Sequence, residues 1–230
     1  MFASSKLRRV DQAVKAIREP HDDSVTLRSV SLLVKAYESI APLDDTLFCK
    51  DPENAPNFRF DGGKARIMYK VWKTARTNRD VAVTRAIESL GFVRNPVDKR
   101  AGRAMLIGLM ASSNLAYEDL LLNPIHTAES ILERSIDIAN EQDKRICAAF
   151  EAIVEAANYI AFNAPCLRLF LPVGGQILDA SAHEPVLDQT DFDQELLVGK
   201  RVLYSLWPGI FNKKPSYRIV HKAIVSIVWD

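Results

Sequence analysis

Eleven lysines and arginines fall between positions 64 and 103 (64, 66, 70, 73, 76, 79, 85, 94, 99, 100 and 103), against three acids, Asp80, Glu88 and Asp98, a local net charge of +8. Arg66, Lys70 and Lys73 follow an i, i+4, i+7 spacing, which puts them on one face of a helix, opposite Met68, Trp72 and Ala75. Lys64, Arg76 and Arg79 extend the set. A helix that is basic on one side and apolar on the other suits anionic lipid headgroups, a nucleic-acid backbone or an acidic protein. The same pattern also arises when a solvated face simply lies over a core stripe. An internal partner is conceivable too, because residues 174–199 carry six carboxylates (Asp179, Glu184, Asp188, Asp191, Asp193 and Glu195).

Elsewhere, residues able to do chemistry are sparse. His21, His126, His183 and His221 sit in separate segments without metal-ligand spacing. His183-Glu184 has the types of a metal or general-base pair, but such neighbours arise readily by chance. Cys49, Cys147 and Cys166 are odd in number and form no CxxC, which reads as reduced thiols and not as a zinc site. Gly174-Gly175 lacks the spacing and the following helix of a phosphate loop, and no serine sits in a GxSxG elbow. The expectation is a protein that is not an enzyme, with no catalytic residues, no metal and no cofactor.

Composition narrows the class further. The 230 residues are 48% hydrophobic and 26% charged with a net charge of +1, as in an ordinary globular protein. No whole-molecule field draws it to polyanions, so any such attraction has to be local. No apolar run approaches the ~18–20 residues of a membrane span. Residues 1–10 are basic and rich in small and hydroxyl side chains, the composition of a mitochondrial presequence, although a surface helix is the plainer reading. The expected location is intracellular, mitochondrial or cytoplasmic.

These residues need elements to position them. Helical spacing predicts about eight helices. The first ends near Arg18, and the second follows the cap cluster Asp22-Asp23-Ser24, with Val25, Leu32, Leu33, Ala36, Tyr37 and Ile40 inward. Residues 42–63, with Pro42, Pro52, Pro56, Gly62 and Gly63, read as a loop or ordered arm. A third helix runs from about Asp61 to Arg76. Asn78 caps a fourth, reaching Leu90, and Asp98 opens a fifth, with an apolar 106–110 core. A short one surrounds Tyr117–Leu122. Another opens at Thr127 and carries Ile131, Leu132, Ile136 and Ile138, and the last spans about Asp143 to Phe162. After Pro165 the runs become short, β-branched and aromatic, predicting strands at about 166–172, 201–207 and 219–229 with a solvated acidic loop at 174–199. The fold class is therefore mainly α with one small C-terminal antiparallel sheet, α+β overall. Trp207, Phe170, Leu203 and Val225 are expected to be buried. The domain reading is a helical hairpin at 1–41, an arm at 42–63 and a main body at 64–230. No heptad run is long enough for a coiled coil.

The C-terminal segment carries one distinctive arrangement. A helix ends at Asn163-Ala164-Pro165, followed by Leu167, Leu169 and Phe170. Gly199 precedes Val202 and Tyr204, then come Leu206-Trp207-Pro208 and finally Lys222-Ala223-Ile224. Over residues 145–228 this resembles the C-terminal domain of the mitochondria-eating protein family. Gly209 stands where that family has Ala after Trp-Pro, and Ala223 where it has Gly after Lys. The resemblance implies a non-enzymatic binding or scaffold protein. It would act at an anionic, cardiolipin-containing membrane or as a subunit of a larger, mitochondrial assembly with protein partners. The alternative is an RNA-binding or nucleocapsid-like helical protein using the basic 64–103 region. No aromatic stacking platform is evident, which makes nucleic acid the lesser expectation.

Overall fold

The computed structural model describes residues 23–89, 102–103, 105, 120–186, 197–213 and 217–228. Among them five α-helices are delimited: α1 (Asp23–Ile40), α2 (Ala55–Phe60), α3 (Gly63–Ser89), α4 (Pro124–Leu132) and α5 (Glu141–Asn163). Six strands follow: β1 (Leu167–Phe170), β2 (His183–Pro185), β3 (Val202–Trp207), β4 (Gly209–Asn212), β5 (Arg218–His221) and β6 (Ala223–Ile227). They form two three-stranded sheets, ordered β1-β4-β5 and β2-β6-β3.

This corrects the expectation of about eight helices and one antiparallel sheet. The helices expected at 61–76 and 78–90 are one continuous helix, α3. Asn78 was read as a cap, but no Pro or Gly interrupts residues 64–89, and a mid-helix Asn costs only about 0.7 kcal/mol against Ala. The helix expected to run through Ile136 and Ile138 begins earlier, at Pro124, capped by Asn123, whose side chain accepts from the His126 N–H. It ends at Leu132, because Glu133 turns left-handed at φ 52°. The helices expected before Arg18, after Asp98 and around 117–122 lie wholly or largely outside the described residues.

The second correction concerns the sheets. The last expected strand divides at Lys222 into β5 and β6, which belong to different sheets. Pro208 separates β3 from β4 in the same way, since a proline has no N–H to continue a ladder. The 174–199 segment contains a strand as well. β2 pairs in parallel with β6, His183 opposite Ala223 and Pro185 opposite Val225, so the sheet is not purely antiparallel.

α5 is the centre of the helical layer, flanked by α1, α3 and α4. Asn140 caps it, its side chain accepting from the Gln142 and Asp143 N–H groups at 2.8 and 3.3 Å. Ile146, Phe150, Ile153, Ala157 and Ile160 recur at helical spacing and are buried. Ala149, Ala152, Ala156 and Ala161 are buried beside them, and their small side chains let neighbouring helices approach closely. α1 contributes Leu33, Ala36 and Ile40 to this same core, and α3 contributes Met68, Val71 and Trp72. Truncating a core phenylalanine such as Phe150 to alanine costs about 3–5 kcal/mol in such a setting.

Trp207 fixes the strands to the helices. It is fully buried, its indole N–H donates to the Leu33 carbonyl at 3.1 Å, and Tyr37 lies 5.4 Å from its ring. Val225 is buried as expected and Phe170 is half-buried against Phe211. Leu203, expected to be inside, is 40% exposed, because it alternates with Val202, whose side chain fills the core of the second sheet.

Candidate functional site

The six basic residues singled out by sequence divide into three kinds. Arg66, Lys70 and Lys73 are exposed together on α3. Seven residues of helix separate the first from the last, about 10 Å, close to the Debye length at 0.1 M salt, so they act as one patch. Ile67, Met68, Val71, Trp72 and Ala75 on the opposite face are all buried. Thr74 and Thr77 donate their hydroxyls back to the Lys70 and Lys73 carbonyls at 3.0 and 2.9 Å, which leaves only oxygen lone pairs facing out beside the cations.

Arg76 is half-buried, its guanidinium carbon 5.6 Å from the centre of the Trp72 ring. Lys64 and Arg79 turn inward. The Lys64 ammonium donates to the carbonyls of Ala41 and Leu43 at 3.2 and 2.5 Å and lies 3.0 Å from an Asp45 carboxylate oxygen, so its three protons are engaged. Arg79 is 3% exposed; it donates to Asp80 and to the Ala161 carbonyl near the end of α5. Both are structural cations and add nothing to an outward patch. One acid does approach it: Glu133 pairs with Lys50, and Lys50 first and Lys70 second hold its carboxyl below the usual range.

Sequence reasoning missed two features, both centred on aspartates. Asp45, buried in a 3-10 turn within the supposed arm, accepts from Arg59 Nε at 2.7 Å and from Lys64. This ion cluster borders a cleft of about 590 Å³ walled by Tyr37, Phe58 and Tyr204. The cleft has aromatic walls, yet its carboxylate and ammonium are spent on each other, and burial pushes the Tyr37 phenol up, away from any role as a base at neutral pH. The second feature is Asp80, which bridges Arg79 (2.7 Å) and Arg103 (3.0 Å). Helical spacing could show Asp80 beside Arg79; it could not show Arg103 arriving from elsewhere.

The His183-Glu184 pair is no open reactive site. His183 is 2% exposed, and its Nδ1 accepts the Asp179 backbone N–H at 3.0 Å. Burial lowers its basicity, so it is a neutral acceptor that closes a turn. Among the described residues no group of three His, Cys, Asp or Glu side chains could hold a metal ion. Cys49 and Cys166 are half-buried, Cys147 is buried, and all three are free thiols. No described helix is long and apolar enough to cross a membrane.

Comparison with protein-family models, with curated proteins and with solved structures finds no match.

Proposed function

We propose that the chain is a non-catalytic binding protein that docks an anionic membrane surface through Arg66, Lys70 and Lys73. The observation that carries this reading is their joint exposure on one side of a rigid, 27-residue helix whose other side is locked in the core. The mode of contact follows. Trp72 is 3% exposed, so the helix has no apolar face to bury among acyl chains. Binding is peripheral and electrostatic, and it weakens with salt. The likeness of residues 145–228 to the mitochondria-eating protein family suggests cardiolipin-containing membrane as the first surface to test and a larger assembly as the setting.

Three basic residues near an anionic bilayer contribute roughly 1 kcal/mol each. Lys70→Glu/Lys73→Glu therefore weakens binding to cardiolipin-containing vesicles by more than tenfold in a flotation assay, with the melting temperature nearly unchanged. Unchanged flotation with an unchanged melt reduces the stripe to a solvated face. Wild-type protein that ignores the vesicles yet shifts a generic RNA in a parallel assay transfers the stripe to nucleic acid.

A further inference from the structure

The C-terminal half of the same helix carries a second basic feature, different in kind. Arg79 and Arg103 share the single carboxylate of Asp80. Asp80 also lines a surface groove of about 420 Å³ together with Thr77, Thr84, Arg85 and Arg103. Arg168, at the start of β1, reaches this region from the strand side. Its guanidinium donates through Nη1 to the Pro165 and Leu167 carbonyls at 2.5 and 2.7 Å, and among the described residues it forms no ion pair. Arg76, held over Trp72, is the fourth member.

Four guanidinium groups thus meet one carboxylate. The carbonyl end of α5 contributes some negative potential, equivalent to about half an elementary charge. That offsets a small part of the surplus. The strain is visible at Arg168: burial first, and then the charges of Arg76 and Arg79, push it down to about 10, an unusual value for a group that is otherwise charged at any accessible pH. A cluster of planar forks with unspent N–H donors around an open groove matches the tetrahedral oxygens of a phosphoryl group, which accept two parallel hydrogen bonds from each fork.

We infer that Arg76, Arg103 and Arg168, backed by the Arg79–Asp80 pair and opening on the Thr77–Arg85 groove, form a binding pocket for a multiply charged phosphoryl group. The ligand is either a soluble phosphate compound or a phosphomonoester headgroup. The pocket is separate from the Arg66–Lys73 stripe and does not require it to touch a membrane.

The probe is inorganic pyrophosphate, titrated calorimetrically and by thermal melting at an ionic strength held constant with sodium chloride. Wild-type protein melts higher in pyrophosphate than in chloride. Arg76→Gln/Arg103→Gln weakens pyrophosphate binding at least tenfold, and Lys70→Glu/Lys73→Glu leaves it within twofold. Arg168→Lys, which keeps a cation but loses the fork, is the second variant and weakens binding at least threefold. The source of the ligand is read from vesicles containing phosphatidic acid or phosphatidylglycerol at equal surface charge. Preference for phosphatidic acid, abolished by pyrophosphate, assigns the headgroup. Equal binding to both, with pyrophosphate affinity retained, assigns a soluble anion. A wild-type protein whose melt does not distinguish pyrophosphate from chloride overturns the pocket, as does an equal loss of pyrophosphate binding in the Lys70/Lys73 variant. Vesicle binding that fails while pyrophosphate still binds removes the membrane reading and leaves the pocket standing.

Discussion

The indole N–H of Trp207 donates to the carbonyl of Leu33, a residue 174 positions earlier, at 3.1 Å inside a fully buried contact. This one bond joins the end of a sheet strand to the middle of α1. Trp207→Phe keeps an aromatic ring but removes the donor, and costs about 1–2 kcal/mol. Trp207→Ala also leaves a cavity and costs about 3–5 kcal/mol. Urea denaturation followed by far-UV circular dichroism gives both numbers. Near-equal losses in the two variants would show that the ring's volume counts for little there.

Asp45 is the shared acceptor of Arg59 and Lys64. Asp45→Asn keeps the shape and withdraws the charge, so the Lys64 ammonium, 17% exposed, loses its counter-ion. Arg59 is well exposed and suffers little, so the cost is about 2 kcal/mol, below that of a fully buried pair. Lys64→Met in the same background recovers part of it. Chemical denaturation of the single and double variants measures the coupling.

Acid sensitivity concentrates at Asp143. The side-chain hydrogen bond from Arg134 is the largest influence on its carboxyl and, with the Asp137 N–H, holds it below its ordinary value of 3.8. A carboxyl whose folded value is depressed stabilises the fold above the unfolded value, and the benefit disappears as pH falls through the folded one. Asp143→Asn is therefore less stable than wild type at pH 7, and the gap narrows as pH drops below about 4. Thermal melts of the pair from pH 7 to pH 2.5 test this. A gap of constant size would detach the effect from ionisation.

Gly62 turns the chain from α2 into α3 at φ +70°, and a Cβ there would stand 2.8 Å from the Ser205 carbonyl oxygen. Gly62→Ala carries both a backbone penalty and a clash, about 2–3 kcal/mol together. Gly175, at φ +84° with open space around it, isolates the backbone part, so Gly175→Ala loses only about 1 kcal/mol. Equal melting shifts for the two would mean that the β3 edge moves aside for the methyl group.

Sequence revealed what periodicity and local chemistry encode. The apolar spacing of α5 runs through Ile146, Phe150, Ile153, Ala157 and Ile160, and it set that helix within two residues at its start and one at its end. β3 was legible from Val202 to Trp207 in the same way. Periodicity also named the outward face that carries Arg66, Lys70 and Lys73. It could not separate them from Lys64 and Arg79, because what turns those two inward is remote. For Arg79 the acceptor is the carbonyl of Ala161, 82 positions away. The continuity of α3 was hidden by Asn78, whose preference for caps is a local tendency that the surrounding helix overrides. The division into two sheets was hidden for a similar reason. Pro208 marks the end of a ladder, and nothing local says that the chain resumes at once in another.

That division has a mechanical consequence. The chain passes between the sheets twice, at Pro208 from β3 to β4 and at Lys222 from β5 to β6, with a single residue at each crossing. Two layers stitched by joints this short have no hinge between them. Opening one sheet pulls on the other through both seams, so neither can fray alone. Their amide hydrogens should exchange with solvent as one cooperative unit, with β6, the central strand of its sheet, and β4, the central strand of the other, slowing together.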